Sequence, residues 1–277
     1  MRQVNRSLTL RRMARHPGVL ALVLLLVVVA LPAMASAQTD EIQVYDAVIE
    51  PQGIFNVMWH NNFTPIGRRT PAYPGAIVPD DSWNGGVEWA YGLKTWWEQG
   101  LYFPIYTAYS TGRGGSIDGF KIRELFVRPH AADHKLFYGL NFEFSFNYSY
   151  WESRTVSGEI RPIVGAHLGK WTLIYNPIVD TDYTGGLGGL QYNPAGRIAF
   201  DLNPRWTVAA EEYDGFGAFH DFYGAHDQFH EVWAVMDHNS KIVDIEAGVG
   251  VGLTAGSDRL TLKLMLSRDL NKIPIRF

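Results

Sequence analysis

From Val243 to Leu253 the apolar residues Val243, Ile245, Ala247, Val249, Val251 and Leu253 alternate with Asp244, Glu246, Gly248, Gly250 and Gly252. From Leu260 to Ser267, Leu260, Leu262, Leu264 and Leu266 alternate with Thr261, Lys263, Met265 and Ser267. Successive side chains of a strand point to opposite faces, so the pattern predicts a hairpin with one oily face and one small or polar face. A soluble sandwich turns bulky Lys, Glu and Gln toward water on its polar face. Here that face carries glycines and isolated charges. Strands of about ten residues with an unbroken apolar side fit the wall of a transmembrane barrel, which meets lipid outside and is wet inside.

The same period of two recurs upstream. Phe55, Val57 and Trp59 alternate with Asn56, Met58 and His60; Val87, Trp89, Tyr91 and Leu93 with Glu88, Ala90 and Gly92; Trp97, Leu101, Phe103 and Ile105 with Glu98, Gly100, Tyr102 and Tyr106. Phe120 to Arg128 reads as a strand of ambiguous facing, and Leu136 to Tyr148 as an unambiguous one with Gly139, Asn141, Glu143, Ser145 and Asn147 inward. Further strands are predicted around Glu159–His167, Trp171–Asp180, Leu190–Leu202, Trp206–Tyr213 and Gln228–His238. Together they predict an all-β chain folded as a transmembrane antiparallel up-and-down barrel of about twelve strands. Long and short connections alternate, as external loops and periplasmic turns do, except that the eleventh connection is short where a long one is due. Trp97, Trp171 and Trp206 each open a strand after a short turn, which predicts an aromatic girdle at one lipid boundary. Tyr148, Tyr150, Trp151 and Tyr183 are expected near the other.

The N-terminus follows a different rule. Arg2, Arg6, Arg11, Arg12 and Arg15 precede an apolar run from Val19 to Leu31, and Ala35-Ser36-Ala37 supplies a small-residue cleavage site. This reads as a secretory signal peptide over residues 1–37, too short in its apolar run to span a membrane as a helix. An acidic stretch, 38–52, follows as a periplasmic lead-in or a plug, and the barrel occupies 53–277. Without the five leader arginines, 19 basic residues face 28 acidic ones, a net charge near −9. Such a surface disfavours nucleic acid, which needs a basic face. The chain has no cysteine, which excludes a lipoprotein anchor, disulfides and thiolate metal sites. The expected setting is the bacterial outer membrane, with outer-membrane lipid, a small-molecule solute and the barrel-assembly machinery as partners and no cofactor.

The stretch Glu88-Trp89-Ala90-Tyr91-Gly92-Leu93-Lys94-Thr95-Trp96-Trp97-Glu98-Gln99-Gly100-Leu101-Tyr102-Phe103-Pro104 resembles a strand–turn–strand hairpin of proteobacterial outer-membrane barrels. These include porin- and transporter-like proteins, some grouped with transporters of aromatic compounds of the phenol-degradation pathway type. The motif covers this hairpin alone. The resemblance implies an outer-membrane channel or transporter-like protein and names no substrate. Such barrels end on an aromatic that closes the last strand, whereas here Phe277 follows only after Pro274.

Candidate chemistry concentrates on the inward face. Glu88, Glu98, Glu143, Glu159, Glu211, Asp244 and Glu246 stand against Arg161, Arg197 and Lys263. Buried charges are paired or wet, so these residues either knit a closed interior or line a water-filled lumen. An open lumen so rich in acids favours cations or neutral solutes. A second concentration, His220, His226 and His230 with neighbouring acids, falls on the ninth connection and the start of the tenth strand. Imidazole suits zinc, copper or nickel, although the spacing matches no metal signature. A lipid hydrolase at the outer rim is the enzymatic alternative, drawing on Ser149, Ser153 or Ser157 and the same histidines, but no motif joins them. Gly185 to Gly189 lacks the Lys-Ser/Thr of a phosphate loop and reads as flexible backbone.

Overall fold

A computed structural model describes residues 40–271. The signal-peptide reading and a last strand continuing through Ile273, Ile275 and Phe277 lie outside those residues. Twelve antiparallel strands close into a barrel. They are β1 (Phe55–Ile66), β2 (Ser82–Lys94), β3 (Trp97–Tyr109), β4 (Ser116–Val127), β5 (Leu136–Asn147) and β6 (Val156–Leu168). The second half comprises β7 (Trp171–Asn176), β8 (Ala195–Asn203), β9 (Trp206–Gly215), β10 (Phe229–His238), β11 (Asp244–Gly252) and β12 (Leu260–Asp269). Each strand pairs with its sequence neighbours, and β12 closes the ring on β1 from Asn56↔Asp269 to Ile66↔Leu260. Short ladders above the ring, Val179–Thr181, Gln191–Tyr192, Gly217–Ala218 and Asp221–Phe222, extend β7, β8 and β9 on the long-loop side.

The expected facing holds on most strands. On β12, Leu262 and Leu264 are exposed while Thr261, Lys263 and Met265 are buried. A lipid-facing leucine is exposed in this sense because the surrounding membrane is what covers it. Trp97, Trp171 and Trp206 open β3, β7 and β9 at the short-turn end, on the same face as the exposed Leu101, Tyr175 and Val208.

Two strands change phase midway, and both departures from the expected alternation have this cause. On β3, Leu101 and Phe103 face outward but Ile105 is 1% exposed, because the pairing with β4 slips between Tyr102 and Ile105. Ile105 therefore points inward, contrary to the outward facing expected from period two. On β4 the slip at Gly119 separates outward Ile117 from outward Phe120, so Asp118, Lys121, Arg123 and Leu125 all face in. Only glycine fits there, since a Cβ would lie 2.3 Å from the Phe146 carbonyl oxygen. Trp151 is also corrected. It is buried against Ile77, Tyr102 and Ile105 instead of standing in an external girdle.

One row of the wall is unusual. The registers place Val164 opposite Tyr175 and Ile160 opposite Val179, so Pro162 and Pro177 face each other between them. Asn176 pairs with Ala195 and Val179 with Tyr192, which sets Pro177 opposite Pro194. Three prolines thus lie side by side across β6, β7 and β8, where none can donate to the ladder.

Candidate luminal site

The interior is occupied. Residues 40–50 run inside the ring, with Glu41, Ile42, Val44, Tyr45 and Ala47 all buried. The segment begins beside Asn62, whose amide donates to the Asp40 carbonyl at 3.2 Å, and leaves beside Glu98, which accepts the Glu50 N–H. Asn62 lies toward the long-loop end of β1 and Glu98 toward the short-turn end of β3, so the segment traverses much of the lumen's length. Pro51, Gln52 and Gly53 then turn it into β1.

Charged side chains from four parts of the wall meet it. Lys121 reaches Asp40 at 2.9 Å and Glu143 at 2.8 Å. Arg161 donates to Glu41 at 3.0 Å and to the Gln43 carbonyl at 3.1 Å, while Glu159 holds its Nε at 2.6 Å. Lys263 donates to the Ile42 carbonyl at 3.1 Å and bridges Glu211 and Glu246, each at 2.6 Å. Arg197 joins that group through Glu211, Asp237 and Glu246. Around the short-turn end, Arg123 pairs with both Glu88 and Glu98, and His60 lies 3.4 Å from Glu88. These pairs are buried, and breaking one leaves its partner as a stranded charge, the expensive outcome in a low-dielectric interior.

Neutral groups complete the grip. Tyr45 donates its N–H to Asn176 Oδ1 at 2.8 Å, and Asn176 Nδ2 donates to the Tyr45 carbonyl at 3.0 Å. The Tyr45 hydroxyl meets that of Tyr102 at 2.8 Å, and the Arg161 guanidinium lies over its ring at 4.2 Å. Apolar packing fills what remains. Val44 and Ala47 lie among Leu125, Val127, Phe137, Ile163, Ile174 and Ile178, while Ile42 packs on Trp233 and Val235. A cavity of about 120 Å³ persists between the segment and the β1–β4 wall, lined in part by Asn56, Met58, Glu88, Glu98 and Arg123.

Among the residues expected to line the lumen, Glu88, Glu98, Glu143, Arg161, Arg197, Glu211 and Lys263 are buried inside, and Glu159 and Glu246 are drawn into the same pairs. Asp244 is not. It is exposed at the β10–β11 turn, where it pairs with Ser267 as the first residue of β11 and its carboxylate turns back to accept the Ser240 N–H. The lumen-lining set read from the sequence left out Lys121, Arg123, His60, Tyr102 and Asn176, although the alternation puts His60 and Tyr102 on the inward face. The first two alternate with outward Ile122, which was the available signal on a strand whose facing the Gly119 slip obscured.

The histidines do not converge. His220 Nδ1 meets the Gly188 carbonyl oxygen, His226 meets Asp227 at 2.9 Å, and His230 is held by Asp214 and by Gln228 at 3.0 Å. Among the described residues no group of three or more His, Cys, Asp or Glu side chains is placed to hold a metal, so the expected metal site is not formed. Ser157 donates to Glu152 at 2.9 Å, and no serine–histidine ring hydrogen bond joins the proposed pair.

No protein-family profile matches the sequence, and no curated protein does. Solved structures do match. An outer membrane channel from Pseudomonas putida F1 superposes with a TM-score of 0.54 at 13% identity, covering 83% of this chain and 100% of that one. The KdgM porin gives 0.49 at 8% identity over 78% and 99% of the two chains. Outer membrane phospholipase A from Escherichia coli gives 0.40 at 10% identity over 86% and 96%. The first shows a shared outer-membrane barrel fold and nothing finer.

Proposed function

We propose that this protein sits in the bacterial outer membrane and passes a small solute, with residues 40–50 as the gate. The observation that supports the reading is the contrast between wall and filling. The wall is closed by ladders, whereas the filling is a single extended segment that joins β1 through residues 51–54 and is held by side chains. Displacing it opens the barrel without breaking a strand pair. The carboxylates left on the inner face outnumber the cations there, which favours cationic or neutral solutes, including apolar ones that rest against Phe137, Ile163 and Ile174.

Planar-bilayer recording of the refolded full-length chain tests this. Low conductance is expected while the segment is fixed to the wall by a Tyr45→Cys/Asn176→Cys disulfide, with higher conductance on reduction. Equal conductance in both states removes the gate. No conductance in either, together with release of fatty acid from lipid, replaces passage with hydrolysis.

A further inference from the structure

The inner face of the wall grips residues 40–45 chiefly through Arg161 on β6 and Asn176 on β7, with Lys121 on β4 and Trp233 and Val235 on β10. Asn176 is fully buried and satisfies the N–H and the C=O of one residue, Tyr45, which is how a side-chain amide recognises an extended backbone. Arg161 reads the carboxylate of Glu41 and the carbonyl of Gln43, and stacks on the ring of Tyr45. Lys121 takes the neighbouring carboxylate of Asp40. Ile42 enters an apolar recess at Trp233 and Val235.

The wall is preorganised for this task. Arg161, Asn176 and Asn193 each stand directly before one of the three facing prolines. A residue before proline is restricted to extended backbone, which fixes the direction in which each side chain leaves the wall; Arg161 and Asn176 leave toward the segment, and Asn193 toward Asp180. Glu159 holds the Arg161 fork at 2.6 and 2.9 Å. If the segment leaves, Asn176 loses both backbone partners and Arg161 keeps only Glu159, places that a ligand with matching groups fills again.

We propose that this face is a peptide-binding site occupied by the chain's own residues 40–45, and that it takes in trans an extended peptide carrying two adjacent carboxylates followed by an aromatic residue four positions after the second. The built-in segment is then a tethered pseudo-ligand.

The test keeps the full chain. A protease recognition sequence is inserted in the exposed turn at Gln52, and Val48, which is exposed, is replaced by cysteine for a fluorophore; the chain has no other cysteine. After cleavage in micelles, the labelled segment is expected to stay bound, and an excess of the synthetic peptide Asp-Glu-Ile-Gln-Val-Tyr to displace it. The scrambled peptide should not. Asn176→Ala in the barrel, or Glu41→Gln in the segment, is expected to speed release about tenfold, the loss of one or two buried hydrogen bonds. Displacement by the scrambled peptide to the same extent, or release unaffected by both substitutions, overturns the proposal. In the uncleaved chain, amide exchange at Tyr45 supplies a readout independent of the insertion. Exchange should be about tenfold faster in Asn176→Ala, and an unchanged rate also refutes the site. Release of the cleaved segment on dilution, with no peptide added and no rise in conductance, sinks solute passage but leaves the peptide site standing.

Discussion

The β10–β12 wall and the β6–β8 wall solve the same problem in opposite ways. From Glu231↔Gly252 to His238↔Ile245, and from Asp244↔Ser267 to Gly250↔Thr261, the first wall pairs without a slip. Its own side chains fill much of the lumen beside it, and the segment adds only Ile42, on Trp233, Val235 and Lys263. A Cβ on Gly250 would lie 2.1 Å from the Trp233 ring, and one on Gly248 would lie 3.0 Å from the Lys263 stem. The inward glycines are therefore there to admit Trp233 and Lys263. Across β6–β8 the ladder is interrupted by three prolines, and the inward Arg161, Ile163, Ile174, Asn176 and Ile178 are covered by a separate segment. A regular wall can close its own lumen. An interrupted one presents polar groups that something else must meet.

Removing the cation from the self-filled wall is the harshest way to break the comparison. Lys263→Leu strands Glu211 and Glu246 against each other in a buried site, and a loss of about 3–5 kcal/mol is expected in urea unfolding of refolded protein. The alternation alone suggests a far milder effect than a charge on the lipid face. The ion pairs reverse that ranking. Leu264→Arg, one residue away but facing lipid, should cost about 2–4 kcal/mol at the bilayer midplane. Finding Lys263→Leu harmless would mean that its partners are solvated and the interior is wet.

Glycine substitutions sharpen the contrast at lower amplitude. Gly250→Ala forces a methyl group into the Trp233 ring and is expected to cost about 1–3 kcal/mol. Gly196→Ala on β8 meets only the Ile174 carbonyl at 3.7 Å, an ordinary contact, and should stay within about 0.5 kcal/mol. Equal costs in thermal or urea unfolding would show that the two walls are packed alike.

How much of this was legible follows from the same contrast. Period-two alternation on β5, β11 and β12 exposed the fold, because a regular ladder imposes the pleat directly on side-chain chemistry. The slips near Pro104 and Gly119 hid Ile105, Lys121 and Arg123, since one inserted residue inverts every later facing. The acidic lead-in from Asp40 to Glu50 was visible, but its place was not. Its partners Lys121, Arg161 and Asn176 lie 81 to 131 residues away along the chain, and nothing local encodes such pairing. The three Arg/Asn-Pro steps were in plain sight. Their alignment became visible only once the register was known.

The smallest effect expected lies at the long-loop rim of the interrupted wall, where a carboxyl is held half out of water. Glu152, between β5 and β6, accepts hydrogen bonds from Asn147 at 2.6 Å and Ser157 at 2.9 Å. Burial pushes its carboxyl up from 4.5 to about 7, and Asp180 and Asp40 push the same way, while the Ser157 hydrogen bond and Lys121 hold it back. A carboxyl with a raised folded value binds its proton more tightly when the loop is packed. The resulting stabilisation is therefore complete below pH 4.5 and is lost as pH rises through about 7. Hydrogen exchange of residues 149–155, corrected for intrinsic rates, should accelerate between those values and be flat in Glu152→Gln. The β8–β9 turn, where the Arg205 N–H is held by Asn203 Oδ1 at 2.9 Å, should show no such step. A step common to both connections would assign the effect to the whole barrel and not to this one carboxyl.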